Sequence, residues 1–333
     1  MIEVKDLTKK YGNQVAVDHL SFRIERGMIY GFLGPNGAGK STTMNMMTGY
    51  IAATEGTVKV NGYDILREPE KAKKSIGYLP EIPPVYTDMT VWEYLKFAAE
   101  LKKVPKAERK EQIEEIMKQT RTEEVRDRLI KNLSKGYKQR VGLAQAMIGY
   151  PEVIILDEPT VGLDPKQIIE MRELMKELAK NHTVILSSHI LSEVSAVCDH
   201  IMIISKGKLI ASDTPEKLLS MMQDGRHLTL SVKGEQEILE RVLTEYPQIA
   251  KYCLETPKEA GCVSVDIKLQ GDMDIREELF YRLNEEKLPI MGLTLAERSL
   301  EDVFLELTGE EMEDFAEVER EVIKEGQEDD SNI

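Results

Sequence analysis

The chain has 333 residues, a formal net charge of −15, 41% hydrophobic residues and 31% charged residues. That length suits one large and one small domain of soluble globular composition, and the acidic balance argues against a nucleic-acid binder. No run of 18 apolar residues or basic-then-apolar leader is present, and Cys198, Cys253 and Cys262 show neither metal spacing nor a paired framework, which fits a reducing cytoplasm.

Residues 1–85 alternate strand-like and turn segments. Within them Met28-Ile29-Tyr30-Gly31-Phe32-Leu33 reads as a buried strand and Thr43-Met44-Asn45-Met46-Met47 as the start of a helix. Between them lies Gly34-Pro35-Asn36-Gly37-Ala38-Gly39-Lys40-Ser41-Thr42, which satisfies Gly-x-x-x-x-Gly-Lys-[Ser/Thr]. Strand, loop and helix are the setting that this motif requires. Glycines let the backbone wrap phosphate oxygens, and the new helix adds its positive end. Lys40 is expected on the β- and γ-phosphates of a nucleoside triphosphate, and the Ser41 hydroxyl on Mg²⁺.

From residue 87 the pattern turns helical. Thr90 can cap a helix bearing Val91, Tyr94, Leu95, Ala98 and Leu101 on one face, and a second helix after Pro105 shows Ile113, Ile116 and Met117. Ser134 and the Gly136 N–H then stand where a further helix should begin, a second anion site. Val153-Ile154-Ile155-Leu156 is a fully apolar strand ending in Asp157-Glu158. Carboxylates at the C-terminal end of a parallel strand face the ligand crevice. Asp157 is suited to hold Mg²⁺, and Glu158 to polarise the attacking water. His189 closes another apolar run.

Residues 226–297 form a separate pattern of strands and helices in the order βαββαβ, that of a ferredoxin-like domain, with no catalytic constellation. Residues 310–333 carry eleven acids and two bases, so −9 of the −15, leaving −6 for the other 309. They read as a frayed helix leading into a disordered, solubilising tail.

The segment Leu133-Ser134-Lys135-Gly136-Tyr137 resembles the signature loop of ABC ATPases, whose usual form is Leu-Ser-Gly-Gly-Gln. Lys135 and Tyr137 depart from that form. The resemblance extends to Tyr11-Gly12 (the loop whose aromatic ring stacks on adenine), to Gly162-Leu163-Asp164 (the loop crossing between subunits) and to Ser187-Ser188-His189 (the switch histidine). It covers roughly residues 1–220 in consistent order. It implies an α/β P-loop NTPase of the ABC ATPase type, with a parallel-sheet core, an antiparallel β subdomain and a helical subdomain at about 87–140. The whole ATPase domain would span 1–222, followed by the ferredoxin-like domain at 226–297 and a closing helix at 298–309.

In that family two such domains dimerise head to tail. The resemblance therefore implies Tyr11, residues 34–42, Ser134 and Gly136 as nucleotide contacts, with the last two acting on the partner's ATP. It implies Lys40, Glu158 and His189 as catalytic residues. Ser41, Asp157 and Glu81 would hold Mg²⁺, Glu81 standing where the family often has Gln. Ser299 to Gly309, with Gly77-Tyr78-Leu79-Pro80-Glu81, is similar to the export-type branch of drug, lipid and gliding-motility-associated transporters. The implied partners are an integral membrane permease and a second copy of this chain or a homologous subunit, with no nucleic acid. The implied location is cytoplasmic, peripheral on the inner face of the membrane. A soluble ABC ATPase acting on ribosomes or DNA, and a non-hydrolysing nucleotide switch, are the alternatives. One phosphate loop, no heptad array and the presence of Glu158 argue against them.

Overall fold

The computed structural model describes residues 1–221, 227–256, 261–270 and 274–296 together with Phe304. The described residues pack as two units, one of Met1–Pro215 and one within Glu216–Phe304. The acidic tail lies outside the described residues, as does the closing segment apart from Phe304.

The first unit opens with β1 (Ile2–Tyr11) and β2 (Gln14–Ile24), then β3 (Ile29–Leu33), α1 (Lys40–Met47), β4 (Glu55–Val60) and β5 (Tyr63–Asp64). It continues through α2 (Pro69–Lys74), β6 (Ile76–Leu79), α3 (Val91–Leu101), α4 (Arg109–Gln119), α5 (Lys135–Met147) and β7 (Val153–Leu156). The elements α6 (Pro165–Leu178), β8 (Thr183–Ser188), α7 (Leu191–Ser195), β9 (His200–Ser205) and β10 (Lys208–Asp213) complete it, and α8 (Pro215–Met221) begins where the second unit begins.

Two sheets result. The larger has the order β10-β9-β3-β8-β7-β6. It is parallel except where β10 meets β9. The strands β3, β7 and β8 are buried at every residue, which explains the apolar sequences of β3 and β7 and the Val184–Leu186 run of β8. The smaller sheet, β2-β1-β4-β5, is antiparallel. Between them α1 buries Met44, Met46 and Met47 against Ile2, Leu7 and Val58 of one sheet and Ile155, Ile185 and Met202 of the other. Burial of each such side chain is worth about 1.5–3 kcal/mol. The helix is thereby fixed at its far end, and its first residue, Lys40, is held in place.

The other face of the parallel sheet carries helices. Gly31 of β3 lets α7 close in, since a Cβ there would lie 2.3 Å from Val194 Cγ1 and 2.8 Å from Cys198 Sγ. Thr90 caps α3 through a capping box: its hydroxyl accepts from Glu93 N at 3.2 Å, and its own N donates to Glu93 Oε2 at 2.9 Å. Helix α5 lies on β6, and its Gln139 Nε2 donates to Glu81 O at 3.4 Å. That contact ties the loop after β6 to the helix that follows Ser134.

The second unit contains β11 (His227–Lys233), α9 (Gln236–Thr244), β12 (Ile249–Glu255), β13 (Cys262–Leu269), α10 (Arg276–Glu285) and β14 (Ile290–Ala296). Its sheet, β12-β13-β11-β14, is antiparallel throughout. Leu228, Leu230, Val265 and Ile267 alternate onto one face and pack with Leu239, Val242, Leu279 and Leu283 of the helices. This is the ferredoxin-like arrangement that the order of elements implies.

Cys253 is exposed, whereas Cys198 and Cys262 are buried. Burial also pushes the Cys198 thiol well above its usual range, and only the thiolate reacts. Thiol titration of the native chain should therefore read one fast cysteine, and titration in denaturant all three. A second fast thiol in the native chain would contradict this packing.

Candidate active site

The loop between β3 and α1 is built by its glycines. Gly37 has φ 80° and Gly39 φ 104°, backbone that side chains seldom adopt. A Cβ on Gly39 would also lie 2.6 Å from Ala16 O. Ala38 N donates to Pro35 O at 3.1 Å and Gly207 N to Ala38 O at 2.9 Å, so the loop is fastened at its crest. The result is a cavity of about 370 Å³, lined by Asn36 to Thr42 with Ala16, Glu81, Glu158, Val161 and His189.

Lys40 is buried at the first residue of α1. Its ammonium donates to Gly34 O at 2.6 Å and to Pro35 O at 3.1 Å, and lies 3.5 Å from Glu158 Oε1. Ser41 Oγ donates to Asp157 Oδ1 at 3.1 Å, and Ser187 Oγ donates to the same oxygen at 2.6 Å. Burial raises the Asp157 carboxyl above its ordinary value, and these two hydroxyls oppose that shift. Ser41 and Asp157 thus present oxygen donors side by side. Mg²⁺ takes such donors with substrate phosphates and waters.

Glu158 has φ 46°, a left-handed conformation that costs a non-glycine residue about 1–3 kcal/mol. Its amide is held by Ser187 Oγ at 2.8 Å. Burial pushes its carboxyl up, but the hydrogen bond from His189 and the charge of Lys40 outweigh burial, and the net shift is downward. Glu158 is therefore ionised at neutral pH. His189 Nδ1 lies 3.1 Å from Glu158 Oε2, a contact that places a proton on Nδ1. Lys40, Glu158 and His189 form one chain of polar contacts across the cavity.

Not every residue singled out in the sequence reaches this cavity. Tyr11 ends β1, half exposed, with Lys9 Nζ 5.1 Å from its ring centroid. Ser134 caps α5, accepting from Tyr137 N at 3.4 Å. Ser134 and Gly136 line a different cavity of about 690 Å³ with Asp164, Gln167 and Glu170. Gly136 is packed tightly there, since a Cβ would lie 2.2 Å from Gln167 Oε1. Lys135, the first departure from the signature pattern, runs along Gly162, where a Cβ would lie 2.0 Å from its Nζ. Within one chain the signature loop and the phosphate loop thus face separate cavities.

Two buried residues next to the site, Thr160 and Glu193, were not singled out in the sequence. The only hint was the place of Glu193 between the apolar Leu191 and Val194.

The model for the ABC transporter family matches residues 17–161. The bacitracin transport ATP-binding protein BcrA of Bacillus licheniformis is 36% identical over 311 residues, covering 93% of this chain and 97% of that protein. The linearmycin resistance ATP-binding protein LnrL of Bacillus subtilis is 33% identical over 319 residues, covering 94% of this chain and 100% of that protein. A dimeric structure of the ATP-binding cassette MJ0796, in a post-hydrolysis state bound to ADP and Pi, superposes with a TM-score of 0.59 at 25% identity, covering 64% of this chain and 98% of that one. This chain belongs to the ATP-binding subunits of ABC transporters and is an ABC ATPase. Among the described residues no helix is long and apolar enough to cross a membrane.

Proposed function

We propose that this chain dimerises head to tail around two Mg-ATP and drives a separate integral membrane permease in the export direction. The observation that carries this reading is the Lys40–Glu158–His189 chain, at 3.5 and 3.1 Å, across the mouth of the phosphate loop. Residues 34–42, with the Lys40 ammonium and the backbone N–H groups beyond Pro35, hold the triphosphate, and Tyr11 stacks on adenine. Ser41 and Asp157 hold Mg²⁺, with Glu81 approaching it from the loop after β6. The metal neutralises phosphate charge. A γ-phosphate competes with Glu158 for the Lys40 ammonium. As Lys40 turns to it, the Glu158 carboxylate is released to orient and deprotonate water. His189 donates to the γ-phosphate by leaving Glu158.

Ser134 and the Gly136 N–H complete the site from the second copy, because their own chain turns them to another cavity. A two-fold interface then makes two equivalent sites. The permease docks near Glu81 and residues 87–100, where Ile82 is 81% exposed, and it holds the chain on the inner face of the membrane. ATP drives the closed dimer only by its higher affinity for that state.

Co-purification from native membranes with a tag on this chain tests the assignment. A multispanning membrane protein in stoichiometric amount is expected. Ribosomes, nucleic acid or the homodimer alone would overturn the export reading.

Glu81 adds a charge where the family often has a neutral amide. Without metal, a carboxylate 4 Å from a phosphate oxygen costs up to about 4 kcal/mol at an effective dielectric of 20. Glu81→Gln should therefore weaken the Mg²⁺ dependence of hydrolysis. An unchanged Mg²⁺ titration would remove Glu81 from the metal site.

A further inference from the structure

Glu193 has no part in the roles above, yet it is buried, at 7% exposure. Its Oε2 accepts from Thr160 Oγ1 at 2.5 Å and from Ser188 Oγ at 3.2 Å. Ser188 Oγ accepts in turn from Ile190 N at 3.0 Å. Thr160 and Ser188 are themselves 4% and 1% exposed. Thr160 stands two residues after Glu158, and Ser188 and Ile190 flank His189. A single carboxylate oxygen thus grips the loop after β7, two residues past Glu158, and the end of β8, next to His189.

Packing alone gives no reason for an acid between Leu191 and Val194. An apolar residue would fill the same space without the cost of burying a carboxylate. The strained backbone of Glu158 gives a reason. Its φ of 46° persists only if the surroundings over-determine it. Ser187 fixes the amide of Glu158. Beyond Pro159, the side-chain anchor is Thr160 on Glu193.

We propose that Glu193 is a positioning residue that holds Glu158 and His189 in register through Thr160 and Ser188. The proposal rests on the catalytic reading of those two residues given above. It predicts a loss in kcat without a loss in nucleotide affinity, because Lys40 and the phosphate loop are anchored elsewhere. Small displacements of a reacting group cost rate steeply, up to about 100-fold for 1 Å.

The test uses the full chain with Mg-ATP and compares Glu193→Met, Thr160→Val, Thr160→Ser and the double variant Thr160→Val/Glu193→Met. Methionine keeps the length of the side chain and removes the acceptor oxygen. The first two should each lower kcat about tenfold or more with the KM for ATP within about twofold. The double variant should be no more than about twofold below Glu193→Met, since both changes cut one link. Thr160→Ser keeps the hydroxyl and should recover most of the activity, whereas the isosteric Thr160→Val should not. Wild-type kcat in both single variants, or losses that multiply in the double variant, would overturn the proposal. Equal loss in Thr160→Ser and Thr160→Val would do the same. Should Glu193→Met fail to fold, the Thr160 pair carries the decision. Glu158→Gln separates the two levels of argument. If it still turns over, the parent reading fails and this one with it. If it is inactive while Glu193→Met and Thr160→Val are fully active, only the positioning role is wrong.

Discussion

Glu158→Gln should cut ATP turnover by about 10³-fold while leaving ATP binding intact, within the range that a positioned general base supplies. The substitution is nearly isosteric. Its backbone anchor, Ser187 Oγ on the Glu158 amide, does not involve the side chain. The amide oxygen can still accept from His189 Nδ1. What is lost is a negative, proton-accepting oxygen beside Lys40. The wild-type carboxyl is held ionised against the cost of burial by His189 and Lys40, so it is ready to take a proton at neutral pH. In the variant ATP should bind and the proposed dimer should close, with the step that would reopen it blocked. Size-exclusion chromatography with and without Mg-ATP should show a dimer that persists only with nucleotide. Turnover within about threefold of wild type would remove Glu158 from the role of base. A dimer that ignores ATP would favour a switch or a constitutive assembly.

Much of this site was legible because its chemistry is local in the chain. Gly37, Gly39, Lys40 and Ser41 lie within five residues of one another, and the loop they make is dictated by backbone freedom and by the helix that follows. Asp157 and Glu158 end a strand whose apolar run announces burial. Ser41 and Asp157 were each assigned to the metal, and their hydrogen bond sets the two oxygens side by side. The ligand-free pairing of His189 with Glu158 was not, because it depends on the register that sets β8 beside β7. Glu193 was hidden for a similar reason. Its partners stand 33 and 5 residues away, and a five-residue helix is too short to show periodicity. The second unit was readable from element order alone, because alternation in β11 and β13 marks one covered face. What it does in the assembly has no local signature.

Ser134→Asp should abolish hydrolysis while sparing the fold, and mixing it with Lys40→Met should restore part of the activity. Aspartate caps a helix as well as serine does, so α5 keeps its first turn. The new charge, however, would face the γ-phosphate of the partner's ATP. At 4 Å and an effective dielectric of 20 the repulsion is about 4 kcal/mol, roughly 10³-fold in affinity for the closed state. Lys40→Met fails for the opposite reason, since it loses the grip on its own triphosphate. Each homodimer is then defective at both sites. In an equal mixture half the dimers are mixed, and each of these has one site with an intact Lys40 from one copy and an intact Ser134 from the other. If the sites act independently, about one quarter of wild-type turnover should return, the fraction that a two-fold interface dictates. No recovery, with exchange of subunits verified by labelled chains, would mean that Ser134 acts within its own chain or not at all. That outcome would contradict the separate cavities of the phosphate and signature loops as halves of one shared site. Recovery near one quarter would make the second copy a contributor of site residues rather than a neighbour.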